Sequence, residues 1–234
     1  MIRPLTIMVL AMALVGAPTP AVANERTAEW AAAEQMRGED LFAAQDFIGA
    51  EAAHRAALEV RTREADPRGW AESTASAGAA QSFRGVRGRD ATLLESAVSD
   101  YRAALEVYTR ADTPNEWAEV QNNLATALVW IAQVRGDGSV AELEDAERSF
   151  SNVLDVTSPA TSPAEAGVVL YNIGTVQERI GDRLSGAAQI TRYRQASATY
   201  ALALDTLRRG GRFSYASDVE RRVSPFMNRV SQVD

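Results

Sequence analysis

Arg55-Ala56-Ala57-Leu58-Glu59-Val60 returns downstream as Arg102-Ala103-Ala104-Leu105-Glu106-Val107, a shift of 47 residues (102 − 55). The match continues at the same offset: Thr62-Arg63 maps onto Thr109-Arg110, Pro67 onto Pro114, and Trp70-Ala71-Glu72 onto Trp117-Ala118-Glu119. A repeat of this length marks a stacked array, because a single unit cannot bury its apolar face and must cover it with its neighbours. The sequence therefore specifies a scaffold with a long surface. It does not name the partner.

Within each copy the periodicity is helical. Tyr101, Ala104, Leu105 and Tyr108 are spaced i, i+3, i+4, i+7, one apolar stripe of a helix. Phe150, Val153 and Leu154 repeat the stripe 49 residues on (150 − 101), and Tyr200, Ala203, Leu204 and Leu207 a further 50 on (200 − 150). His54, Ala57 and Leu58 form the earliest copy. Each stripe reads as the second helix of a hairpin.

The first helices are announced by Asp66-Pro67, Thr113-Pro114 and Ser162-Pro163, a capping side chain before a proline at the first helical position. Glu116 and Glu165, one turn past their caps, complete capping-box signatures. Gly78, Ala125 and Gly174 fall at equivalent positions, small enough for a neighbouring helix to approach closely. The glycine-containing segments 84–90, 135–139 and 181–186 break the pattern and are expected to connect the paired helices. The expected fold is all-α, with antiparallel hairpins at about 26–63, 67–110, 114–157 and 163–209. A tail, 210–234, is expected to cap the array with a partly helical segment from Phe213 to Val230, interrupted near Pro225.

Residues 1–23 read as a segment outside the array. Arg3 provides a basic start, and Ala21-Val22-Ala23 an A-x-A cleavage signal. The apolar run 5–15 between them is shorter than the roughly 20 residues of a membrane-spanning helix. Pro18 and Pro20 argue against a buried first helix. The expectation is a Sec signal peptide and a periplasmic or secreted mature chain beginning near Asn24, with no stable membrane anchor. The chain has no Cys, which excludes disulfides, thiol catalysis and zinc–thiolate sites. Its formal charge is −7, or −8 without Arg3, the only charged residue of 1–23. An acidic chain without a basic cluster is poorly suited to nucleic acid or anionic lipid.

Candidate chemistry is sparse. His54, the only His, would be the first choice for acid–base work or metal binding, but it holds the slot of Tyr101, Phe150 and Tyr200 and reads as a packing residue. No second His exists to complete a metal site. Glu142, Glu144, Asp145 and Glu147 open a helix, where negative charge suits the dipole, and lack the glycine turn of a calcium loop. Arg84-Gly85-Val86-Arg87-Gly88-Arg89 reads as a small basic loop, and Arg135-Gly136-Asp137 spells an adhesion tripeptide at an expected connection. No cofactor is called for, and no nucleophile has a free base beside it.

Taken together, these segments resemble the tetratricopeptide repeat family. Gly38, Leu41, Ala50, His54 and Ala57 follow the small, large, Ala, aromatic, Ala order of its ordinary unit. Gln121-Asn122-Asn123-Leu124 with Ala127-Leu128, and Leu94 to Val98 leading to Tyr101-Arg102-Ala103-Ala104-Leu105-Glu106, look like signature segments of its longer-loop bacterial arrays. The resemblance covers about residues 30–209. It implies a right-handed superhelical solenoid whose first helices line a concave groove for peptides or protein segments.

By that alignment the groove would present Gln35 and Glu39, then Glu72, Ala75, Ala79 and Phe83, then Glu119, Asn122, Thr126 and Trp130, and finally Tyr171, Thr175 and Arg179. Only Asn122 and Arg179 suit a carboxylate, and they lie on different repeats, so the family's carboxylate clamp is not expected. Phe83 and Trp130 are equivalent, and either form an aromatic strip flanked by Glu39, Glu72 and Glu119 or fill the seam between hairpins. The strip would favour an apolar or basic segment. The expected function is a non-catalytic scaffold for protein or peptide binding in the cell envelope. A self-assembling structural protein and a carboxylate-based enzyme are the alternatives.

Overall fold

A computed structural model describes residues 26–136 and 140–232. The expected signal segment lies outside the described residues, as does Asp137 of the adhesion tripeptide. Among the described residues there are nine α-helices and no strand. They are α1 (Ala28–Ala43), α2 (Phe47–Ala57), α3 (Pro67–Gly88), α4 (Ala91–Ala104), α5 (Pro114–Arg135), α6 (Val140–Val153), α7 (Pro163–Gly181), α8 (Gly186–Arg209) and α9 (Phe213–Val230). Each packs on the helix before it and the helix after it, and α3 also touches α5. The molecule is a helical array.

The repeat is visible in the backbone. After α2, the N–H groups of Val60 and Arg61 donate to the Ala57 carbonyl; after α4, Val107 and Tyr108 donate to Ala104; after α6, Val156 and Thr157 donate to Val153. Asp66, Thr113 and Ser162 then donate to Thr62, Thr109 and Ser158. The chain enters α3, α5 and α7 at Pro67, Pro114 and Pro163, where a missing N–H breaks no helical bond. One turn is thus made three times from closely similar residues.

Three local expectations need correction. Only the Asp66 side chain caps its helix, accepting from the Gly69 N–H at 3.0 Å; Thr113 and Ser162 make no cap bond. The Thr113 hydroxyl turns back instead, donating to the Thr109 carbonyl and accepting from its N–H. Residues 84–88 are not a loop but the last turns of α3. Gly85 serves close approach there, since a Cβ would sit 2.8 Å from Leu94 Cγ; the chain reverses only at Arg89, at φ 50°. Finally, α9 runs unbroken through Pro225. That proline is exposed, as is Arg221, whose carbonyl loses its helical donor there.

Packing follows one slot along the array. His54, Tyr101, Phe150 and Tyr200 are all buried. The facing positions on the preceding helix are Gln35, Ser82, Val129 and Glu178, of which the last three recur at the first-helix offsets. His54 Nδ1 lies 3.1 Å from Gln35 Oε1, the Tyr101 hydroxyl lies beside Ser82, and the Tyr200 hydroxyl donates to Glu178 at 2.6 Å. Opposite Phe150, which has no polar atom to satisfy, the position is Val129. Ring and partner change type together, as expected where an unpaired buried polar atom costs about 1–3 kcal/mol. Gly38 and Gly174 make room for the rings: a Cβ would meet His54 at 2.4 Å and Tyr200 at 2.7 Å.

Arginines at equivalent positions reach acids of the next unit. Arg55 meets Asp100 and Arg63 meets Glu106, each at 2.5 Å, and their repeat copies Arg102 and Arg110 meet Asp145 and Asp155. Apart from Asp100, which is mostly buried, these side chains are substantially exposed, so the pairs add little to stability. At the C-terminal end α9 buries Ala216, Val219, Val223 and Phe226 in a cluster with Tyr200, Leu204 and Leu207.

Candidate functional site

The first helices α1, α3 and α5 carry two adjoining clefts of about 550 and 330 Å³ that share Glu39, Ser76, Ala79, Glu119 and Asn123. Helical spacing explains the lining. On α3, Glu72, Ser76, Ala79 and Phe83 succeed one another at i+3 or i+4, and the small residues in the middle leave a trough where larger ones would raise a ridge. On α5, Glu116, Glu119, Asn123 and Thr126 form the facing row.

The trough is acidic. Glu39, Glu72, Glu116 and Glu119 line it, and no Arg does. Glu72 is paired with Arg61 at 2.9 Å, and Glu39 accepts from the Gln35 amide at 3.2 Å. Glu116 and Glu119 have no ion pair among the described residues. Tyr108 on the trough's side registers the field. Burial first, and then Glu72, Glu116 and Glu119, push its phenol up to about 12. His54 lies beneath, its pKa lowered by burial, with Glu39 pulling it up and Arg61 pushing it down. Gln35 holds it in place, its amide also reaching Ser76 while its oxygen accepts from Ser73.

At one end the trough meets an aromatic cluster. Phe83 is 49% exposed, stacks on Phe47 at 5.0 Å and meets the edge of Phe42 at 5.1 Å. The Arg87 guanidinium lies over Phe47 at 4.6 Å, on the same cluster.

Of the residues expected in the groove, Gln35, Glu39, Glu72, Phe83, Glu119, Asn122 and Thr126 come together here. The Thr126 hydroxyl is spent on the Asn122 carbonyl one turn back. Trp130 is half-buried against the main core and lines neither cleft, so the ring neighbours of Phe83 are Phe42 and Phe47. Tyr171, Thr175 and Arg179 are elsewhere, on α7. Arg222 of α9 lies over the Tyr171 ring at 5.2 Å, donates to the Tyr171 hydroxyl at 2.6 Å and reaches Thr175 at 3.3 Å. Tyr215 meets the edge of Tyr171. Arg179 donates to Gln133, and its pKa is lowered by burial and then by Arg183 and Arg222.

Phe42, Ser76, Glu116 and Asn123 also line the clefts, although repeat equivalence does not place them in the groove. Glu116 and Asn123 flank Glu119 by one turn on either side, a helical-spacing signal sufficient to find them. Phe42 follows Glu39 by three residues on α1, the same signal, and its ring meets the edge of Phe83.

A separate cleft, of about 730 Å³, lies against α4, α5, α6 and α8, but its charges are matched internally: Arg192 pairs with Glu144 and Glu147, and Arg102 and Arg148 with Asp145. Among the described residues no cluster of His, Asp and Glu could hold a metal ion, and no helix is long and apolar enough to cross a membrane. A scan against protein-family models gives no match for this chain, and a search of curated proteins gives none either.

Proposed function

We propose that this chain is a non-catalytic, tetratricopeptide-like scaffold that binds an extended protein segment in the trough across α1, α3 and α5. In this reading the helix pairs form four antiparallel hairpins of a right-handed superhelix. The protein acts in the bacterial cell envelope after export, and neither cofactor nor nucleic acid takes part. The observation that carries it is the trough itself: a continuous channel over three repeat units, floored by small and amide side chains and ringed by carboxylates. Extended peptides suit such a channel because backbone groups bond to amides while alternate side chains reach the walls.

The test is a photo-crosslinking residue placed at Asn123, in the trough, or at Asp205, on the exposed side of α8, in cells making the full chain. Stoichiometric adducts with another protein from Asn123 and none from Asp205 support the proposal; equal adducts from both, or none from Asn123, defeat it.

A second reading is self-assembly. Met36 on α1 and Ile48 on α2 are 67% and 68% exposed, at the end of the array that has no counterpart of α9 among the described residues. Scattering mass that rises with concentration, and stops rising in a Met36→Glu, Ile48→Glu variant, would favour it.

A further inference from the structure

We infer that the trough takes its ligand by a cationic side chain, arginine or lysine, seated between Glu39 and Glu119, with an adjacent apolar side chain resting on the open face of Phe83. This rests on the reading of the trough as a protein-binding face and specifies the chemistry of what binds.

Charge is the first argument. Both Glu39 and Glu119 border both clefts, Glu116 and Glu119 have no ion pair among the described residues, and the lining contains no Arg to supply one. An apolar segment laid over these carboxylates would strip water from them without return, a net cost for buried unpaired charge. An acidic segment would add repulsion. A cation restores what the ligand's backbone displaces.

The aromatic cluster is the second. It already holds one guanidinium, Arg87 over Phe47, while about half of Phe83 faces solvent. The exposed part of Phe83 gives an apolar neighbour of the cation a surface to bury on, while the cation's own charged head reaches the acids. The larger cleft, about 550 Å³, is of a size to hold such a side chain with its apolar neighbour. Ser76, Asn122 and Asn123 supply hydrogen-bonding groups for the segment's backbone.

The experiment is calorimetric titration of the full exported chain with end-capped nonapeptides Gly-Ser-Arg-Leu-Ser-Arg-Leu-Ser-Gly, against analogues with citrulline or glutamate for arginine. The arginine peptide is expected to bind at least tenfold more tightly than the citrulline one, and the glutamate peptide not at all. Glu39→Gln and Glu119→Gln should each weaken it by roughly two- to five-fold, the range for half-exposed ion pairs. Phe83→Ala should weaken it further, and Glu64→Gln, on an exposed turn outside the trough, should change nothing. Circular dichroism of each variant checks that the helices persist. Equal binding of the citrulline peptide, with NMR shifts confined to the trough, overturns the cation anchor and leaves the trough reading intact. Binding that ignores every trough substitution, or no binding by any peptide, overturns the inference, and adducts at Asn123 then decide the trough reading separately.

Discussion

The faces of α3 and α7 start from one plan and end in opposite states. At a single repeat position the chain carries Phe83, Trp130 and Arg179: the first half-exposed beside an acidic trough, the second half-buried on the main core, the third turned to Gln133. Around Phe83 the helix face stays open. Around Tyr171 and Thr175 it is occupied by Arg222 and Tyr215 of α9. The difference lies in the neighbour on the C-terminal side of each unit. A unit inside the array has another unit to cover its apolar face, whereas the last one must be covered by a non-repeat helix, which here also consumes its share of the surface. An open trough and end-capping therefore compete for the same face.

The most direct way to break this comparison is to loosen α9. Phe226→Ala removes a buried ring from the cluster around Tyr200, and about 3–5 kcal/mol of unfolding free energy should go with it. Phe83→Ala, on the open face, should lose less, about 1–3 kcal/mol for its two ring pairings. Urea unfolding of the two variants measures the contrast; equal losses would mean that the two faces are alike.

Next in size is the shared slot. Gly38→Ala and Gly174→Ala drive a methyl into the His54 and Tyr200 rings, and each should cost about 1–3 kcal/mol by thermal unfolding. A harmless Gly38→Ala would show that the first unit is loosely packed and that the slot is not common to the array. A smaller effect belongs to Arg222→Ala, which removes exposed contacts with Tyr171 and Thr175 and should cost about 0.5–1.5 kcal/mol. Tyr171 should at the same time become more reactive toward nitrating reagent.

The smallest effect is a pH dependence confined to the first unit. The pKa of His54 is lowered in the folded chain, mainly by burial. The unfolded state then binds the proton more readily, so this contribution to stability is full above the unfolded value of about 6.5 and is lost as pH falls from there through the folded value. A His54→Tyr variant, copying the Tyr101 arrangement, lacks that loss. Its Tm relative to the parent should rise as pH is lowered from 7 to 5; a constant difference would contradict the assignment.

Much of the fold was legible because its signals are local. Pro67, Pro114 and Pro163 mark helix starts wherever they occur, and the slot of His54, Tyr101, Phe150 and Tyr200 needs only the offset. The errors were also local in kind. Gly85 reads as a breaker by propensity, yet tertiary packing makes it a point of helix contact with Leu94. Thr113 has a cap's identity but spends its hydroxyl on Thr109. For the site, Glu39, Glu72 and Glu119 emerged from repeat equivalence, because α1, α3 and α5 share their surroundings. Tyr171 did not come with them, since the covering by α9 arises from a segment outside the repeat and leaves no trace in the period.

Hydroxyl-radical footprinting of the full chain, read residue by residue by mass spectrometry, addresses the central claim most directly. Fast oxidation is expected at Phe83, slow oxidation at Tyr171 and Tyr200, and a selective rise at the two tyrosines when Phe226→Ala frees α9. Tyr171 reacting as fast as Phe83 in the unaltered chain would contradict it, because the α7 face would then be as open as the trough.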